Sequence, residues 1–164
     1  NRPAPPPGRP RVNVKATLSP DDLARACADA MWREDDASKG LGMEILAVGP
    51  GHATLMMTVQ PHMVNGQRIA HGGFIFLLAD STFAYACNSR NERTVAAQCD
   101  ITFIKSGKLG DRLVAMAREV SHSGRSGIYD ISVTVDDVVI AEFRGHSRTV
   151  GGTWLPVGAD TKST

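Results

Sequence analysis

Residues 65–89 read NGQRIAHGGFIFLLADSTFAYACNS. The segment opens on a polar turn at Asn65-Gly66, passes through His71-Gly72-Gly73, and continues as one long apolar run. Its apolar residues fill nearly every position instead of recurring every third or fourth. A helix of that kind is surrounded by protein. Asp80 stands in its middle, between Ala79 and Ser81-Thr82. A lone carboxylate in a dry setting is costly unless it finds partners or shifts its pKa. The plain reading satisfies Asp80 with Ser81, Thr82 or a backbone group. The glycines at the helix start shift the balance. Free N–H groups at the positive end of a helix can hold an anion or polarise a carbonyl oxygen. A perturbed carboxylate near such a site is an acyl-transfer pair.

Spacing then makes a demand. Gly72 and Asp80 are eight residues apart, which is about 12 Å along one helix. One carbonyl cannot reach both. If both serve one reaction, Asp80 works with the Gly72 end of a second copy, and a two-fold axis supplies that twice per dimer. His71 can be a base, a donor to ligand or a cap. It has no second His or Cys at metal spacing, so no metal site is expected. His52, His62, His122 and His146 read as surface or strand residues.

Outward from this segment, Ser19-Pro20-Asp21-Asp22 is a helix start, followed by Leu23, Ala26, Cys27, Ala30 and Met31 at helical spacing. That helix is expected to fade over 33–38, with a break at Gly40 and Gly42. Two strands, 43–48 and 52–59, flank Gly49-Pro50-Gly51 and form a hairpin. Beyond the central helix come strands at 94–105, 111–121, 125–136 and 138–150, expected as a four-strand meander. Tyr129, Ile131, Val133 and Val135 alternate with Asp130, Ser132, Thr134 and Asp136. The fold class is therefore α+β, a long central helix wrapped by a six-stranded, mainly antiparallel sheet. One domain spans 18–152. Residues 1–17 read as a disordered Pro/Arg-rich tail and 153–164 as a C-terminal tail.

Composition narrows the function. Net charge is +1 and 42% of residues are hydrophobic, so nothing drives the chain toward nucleic acid or an anionic membrane. The longest apolar run, 74–79, falls far short of the ~20 residues of a membrane span, and the N-terminal stretch lacks the apolar core of a secretory signal. Three scattered cysteines, Cys27, Cys87 and Cys99, fit neither a zinc site nor a disulfide framework and suit a reducing cytoplasm. Cys87 and Cys99 read as small core residues. Ser123-Gly124-Arg125-Ser126-Gly127 is not a G-x-S-x-G elbow, and no P-loop or G-x-G-x-x-G occurs.

Taken together, Asn65-Gly66, His71-Gly72-Gly73, Leu78-Ala79-Asp80, the run Phe83 to Ser89, Gly127-Ile128-Tyr129-Asp130 and Phe143-Arg144-Gly145 resemble the hotdog-fold acyl-CoA thioesterases. The resemblance is greatest to the PaaI-type phenylacetyl-CoA thioesterases of phenylacetic acid degradation, and covers about residues 20–152. It implies that Asp80 acts as nucleophile or as base toward water. It implies that the Gly72 N–H of the partner subunit polarises the thioester carbonyl, with Gly73 beside it. Asn65 helps position the attacking group or the carboxylate, and His71 supports the loop or the thioester. A polar strand residue near the carboxylate is implied, with Gln98 and Thr102 both candidates. Coenzyme A runs along the subunit interface, and Lys105, Arg125, Arg144 and Arg148 are candidates for its phosphates. Gly107 matches a glycine of the family's arginine-proline-glycine-type turn, where Lys105-Ser106 departs from the usual residues.

The expected activity is hydrolysis of an (aryl)acyl-CoA thioester, with phenylacetyl-CoA or a hydroxylated relative as the expected substrate, to a free acid and coenzyme A. No metal or redox cofactor is required, and coenzyme A enters as part of the substrate. Self-association as a dimer of dimers is implied by the resemblance. A hotdog hydratase or dehydratase and a non-catalytic acyl-CoA sensor are the alternatives, since fold alone does not fix function.

Overall fold

Ser19 caps the first helix as its sequence predicts. In the computed structural model, which describes residues 18–157, the Ser19 side chain accepts from the Asp22 N–H at 3.1 Å. Residues 1–17, read above as a tail, and 158–164 lie outside the described residues. Helix α1 (Pro20–Glu34) buries Leu23, Ala24, Cys27 and Ala28. The chain does not simply fade after it. Asp35 accepts from the Ser38 N–H at 3.0 Å and starts a short second helix, α2 (Asp36–Gly40).

Strands β1 (Glu44–Gly49) and β2 (His52–Thr58) form the expected hairpin, with Gly51 in the left-handed region at φ +72°. The central helix α3 spans Gly72–Cys87. Strands β3 (Thr94–Phe103), β4 (Arg112–Ser123), β5 (Ser126–Val135) and β6 (Val138–Thr149) follow. Asp136 and Asp137, at φ 48° and 61°, make the left-handed two-residue turn that the right-handed twist of β5 and β6 favours.

One antiparallel sheet results, in the order β1-β2-β4-β5-β6-β3. The expected four-strand meander is corrected to three strands, β4 to β6. Strand β3 pairs with β6 at the far edge and has no contact with β4 in the ladder. The connection after β3 makes this possible by crossing the end of the sheet. Ile104 N–H and Lys105 N–H donate to Ile140 O at 2.8 and 3.1 Å, and farther on Gly110 N–H donates to Val59 O at 2.9 Å. Sequence alternation shows which face a strand buries, not which strand lies beside it.

The sheet curls around α3, whose Ile75, Leu78, Ala79, Phe83 and Ala86 are buried against Leu55, Met57, Leu113, Ala115, Ile131 and Phe143. Phe83 stacks at 5.4 Å from Tyr129 and 6.2 Å from Phe143. It fits because Gly145 carries no side chain: a Cβ there would lie 2.7 Å from the Phe83 ring. The helix is not surrounded on every side. Gly73, Leu77, Asp80, Ser81 and Ala84 lie on one flank and stay partly or fully exposed. The tail expected from residue 153 is also packed at its start. Trp154 donates Nε1–H to Asn88 Oδ1 at 2.8 Å, Leu155 N–H donates to Asn91 Oδ1 at 2.8 Å, and Arg93 lies over the Trp154 ring. Among the described residues, no helix is long and apolar enough to cross a membrane.

Candidate active site

The start of α3 is built to leave one N–H open. His71 is the N-cap, and its Nδ1 accepts from the Gly73 N–H at 2.9 Å. The Phe74 N–H donates to His71 O at 3.0 Å. Within the described residues no acceptor takes the Gly72 N–H, which points along the positive end of the helix dipole. Accepting at Nδ1 puts the imidazole proton of neutral His71 on Nε2. His71 therefore serves here as the cap, and Gly73, expected to bind substrate, has its N–H already engaged.

Asn65 is set beside this N–H by its own turn. Its Oδ1 accepts from Gln67 N–H at 2.9 Å and Ile69 N–H at 3.4 Å, which leaves the side-chain NH₂ as a donor. The loop is clamped onto the helix start, with His71 N–H donating to Met63 O at 2.8 Å and Ala70 N–H to Gly107 O at 2.9 Å. Gly107 thus anchors the approach to the helix through its backbone. Asn65, Gly72, Phe103 and Lys105 line one cleft of about 400 Å³. The Phe103 ring lies against Gly72 so closely that a Cβ on Gly72 would sit 2.8 Å from it.

Asp80 lies two turns farther along α3, on the open flank, and is half-buried. The local hydroxyls do not serve it. Thr82 Oγ1 donates to Leu78 O at 2.7 Å, and Ser81 Oγ pairs with Ser38 Oγ at 3.0 Å. Its side-chain partner is Cys99, whose Sγ lies 3.8 Å from Oδ1. Burial pushes the Asp80 carboxyl above its ordinary range, and the Cys99 hydrogen bond offsets only part of that. A carboxylate kept in a partly dry site is a stronger base and a less solvated nucleophile than one in water.

The remaining expected residues divide. Lys105 belongs to the cleft with Asn65 and Gly72. Gln98 and Thr102 do not approach Asp80. Thr102 lies on the outer face of the sheet with Asp100, Asp130 and Arg144, and Gln98 shares its parity on the strand. Arg144, a phosphate candidate, is engaged by a carboxylate in this chain. It makes a two-pronged pair with Asp130, at 2.6 and 2.9 Å, on that outer face. Arg125 donates to Thr149 O at 3.0 Å, and Arg148 pairs in register with Val95, so both lie where β3 begins, away from its Phe103 end. Two neighbours of the candidate site are not singled out by the sequence. Cys99, expected as a small core residue, packs against the core and also faces the Asp80 carboxylate, and Phe103 packs on Gly72. Alternation along β3 places Cys99, Ile101 and Phe103 on the helix side but does not tell which helix residue each one meets.

Known proteins resemble the chain in both sequence and structure. Residues 67–142 match the sequence model of the thioesterase superfamily. Acyl-coenzyme A thioesterase PaaI of Escherichia coli K12 is 44% identical over 128 residues, covering 77% of this chain and 91% of the relative. The solved structure of the E. coli PaaI protein from the phenylacetic acid degradation operon superimposes with a TM-score of 0.81 at 40% identity, over 82% of this chain and 99% of that one. A Streptococcus mutans UA159 protein solved bound to acetyl CoA aligns with a TM-score of 0.65 at 28% identity, over 68% and 90% of the two chains.

Proposed function

We infer that this chain, which belongs to the thioesterase superfamily and has its hotdog fold, hydrolyses acyl-CoA thioesters, and we propose an aryl-acetyl group as the preferred acyl part. The operon of the similar E. coli protein supports that choice of acyl group. The observation that carries the mechanism is the Gly72 N–H left without an acceptor beside the Asn65 amide. Both residues line one cleft, which suits a thioester oxygen that gains charge as its carbonyl carbon becomes tetrahedral.

The attacking group comes from a second protomer. Asp80 is about 12 Å from Gly72 along the same helix, and β3 is a sheet edge whose Val95 and Phe103 are 49% and 50% exposed. Antiparallel pairing of two such edges brings the Phe103 end of one strand, with its Gly72, toward the middle of the other, where Cys99 and Asp80 lie. Asp80 then either attacks the carbonyl carbon, giving an anhydride that water cleaves, or takes a proton from the attacking water. In either route the C–S bond breaks, the sulfur leaves as the thiol of coenzyme A, and water supplies the acid oxygen and both protons. No metal or redox group enters these steps. A dimer is the smallest unit this site allows, and two dimers associating is the arrangement we favour. Lys105 is the cation best placed for an anionic part of the substrate. Three free thiols, at Cys27, Cys87 and Cys99, suit the reducing cytoplasm.

Free-thiol release from a panel of acyl-CoAs, with wild type beside Asp80→Ala, tests the reading. Fast release that depends on Asp80 and favours aryl-acetyl thioesters is expected. Tight coenzyme A binding with no release from any thioester would point to a sensor instead.

A further inference from the structure

Asp80 has to stay ionised in a partly dry place and hold one orientation, yet the hydroxyls beside it are committed elsewhere. Ser81 pairs with Ser38, and Thr82 with the Leu78 carbonyl. The Cys99 thiol donates to Asp80 Oδ1 across 3.8 Å, and Cys99 is itself half-buried on a strand whose neighbouring residues are mostly exposed. Its placement is specific. Cys99 stands opposite Gly145 in the β3–β6 ladder, and Gly145 has no side chain because the Phe83 ring occupies that space. A register irregularity between Ala96 and Gln98 just precedes it, and such a bulge re-aims the residues that follow. The thiol itself is poorly suited to attack. Burial first, and then the neighbouring Asp80 charge, push it up to about 11, so at neutral pH it remains S–H and can donate.

We propose that Cys99 is a positioning residue for Asp80, its thiol holding Oδ1 so that Oδ2 is presented to the thioester bound at the partner's helix start. This rests on the thioesterase reading above and assigns Cys99 no bond-making step. Removing the donor leaves the carboxylate loosely oriented and less well stabilised as an anion. Its protonation then moves to higher pH, and the acid limb of kcat/KM moves with it.

The experiment compares wild type, Cys99→Ala, Cys99→Ser and Asp80→Asn on the acyl-CoA that turns over fastest, between about pH 5 and about pH 9. Cys99→Ala is expected to lower kcat about fivefold, the scale of one lost hydrogen bond, with KM nearly unchanged and the acid limb shifted upward. Cys99→Ser, which restores an O–H donor, is expected to return the limb to the wild-type position or below it. If Cys99→Ala does not fold, Cys99→Val takes its place as the variant without a donor, and its acid limb must move up. An acid limb that stays in place in both variants, whatever happens to stability, overturns the proposal. Asp80→Asn separates the two levels. An inactive Asp80→Asn with an unmoved limb in the Cys99 variants removes only the positioning role, whereas an active Asp80→Asn removes the thioesterase mechanism beneath it.

Discussion

Asp80 is held against its own stability, and that can be measured. Its carboxyl is pushed above the ordinary range chiefly by burial, so the charged form is less favoured in the folded chain than in the unfolded one. The sign follows directly: the stability tied to Asp80 is fully present below the unfolded-state pKa and is lost as pH rises through the raised folded-state value. Asp80→Asn removes the charge while nearly preserving shape. It is expected to cut turnover by at least about a thousandfold while raising the melting temperature at neutral pH. That gain should vanish on acidification below the ordinary aspartate range. A variant that loses activity and is also less stable at neutral pH would mean that Asp80 is a structural anchor. Gly72 gives the complementary test. Proline is tolerated at the first helical position, and His71, at φ −65° and ψ 130°, already has the extended backbone that a following proline requires. Gly72→Pro therefore deletes the one open N–H without breaking the helix, though the half-exposed Phe103 ring must shift. A drop in kcat of about a hundredfold or more is expected, with unchanged helical circular dichroism. Undiminished kcat would clear Gly72 of any role at the carbonyl.

At the scale of the elements, much was legible in the sequence, because the decisive signals are local. Ser19-Pro20 announces α1, the Gly49-Pro50-Gly51 turn announces the first hairpin, and alternation over 128–136 announces β5. The all-round apolar run after Gly72 identifies α3, and the carboxylate within it draws attention to itself. What escaped reading depends on contacts between distant parts. Nothing local shows that β3 skips past β4 to join β6, because that depends on where the 104–111 connection is tied down. Nor does local sequence show that Asn88, at the end of α3, gathers the Thr94 N–H, the Trp154 indole and the Ala84 carbonyl into one node. That node explains why the packed domain reaches past the glycine pair at 151–152. Trp154→Ala removes an indole hydrogen bond to a buried acceptor and the Arg93 stacking contact. It is expected to cost about 1–3 kcal/mol, seen as a lowered denaturant midpoint with little change in KM. An unchanged midpoint would return residues 153–157 to the status of a tail.

For the whole molecule, the open flank of α3 and the exposed edge at β3 are two aspects of one requirement. In the proposed mechanism a single chain supplies a Gly72 end and an Asp80 carboxylate about 12 Å apart, which no single substrate carbonyl can span. Val95→Lys, at a half-exposed position on the β3 edge, is expected to shift the mass in sedimentation toward the monomer and to lower specific activity in the same proportion. A fully active monomer would refute the shared site. The most direct measurement mixes two defects. Asp80→Asn chains keep the Gly72 end, Gly72→Pro chains keep the carboxylate, and each homodimer is expected to be inactive. Co-expressed with different tags and purified through both, their heterodimer contains one site assembled from the two intact halves. Thiol release at about half the wild-type rate per dimer is predicted, because one of two sites is restored. A purified heterodimer as inactive as either parent would contradict the account and place both halves of the site within one chain.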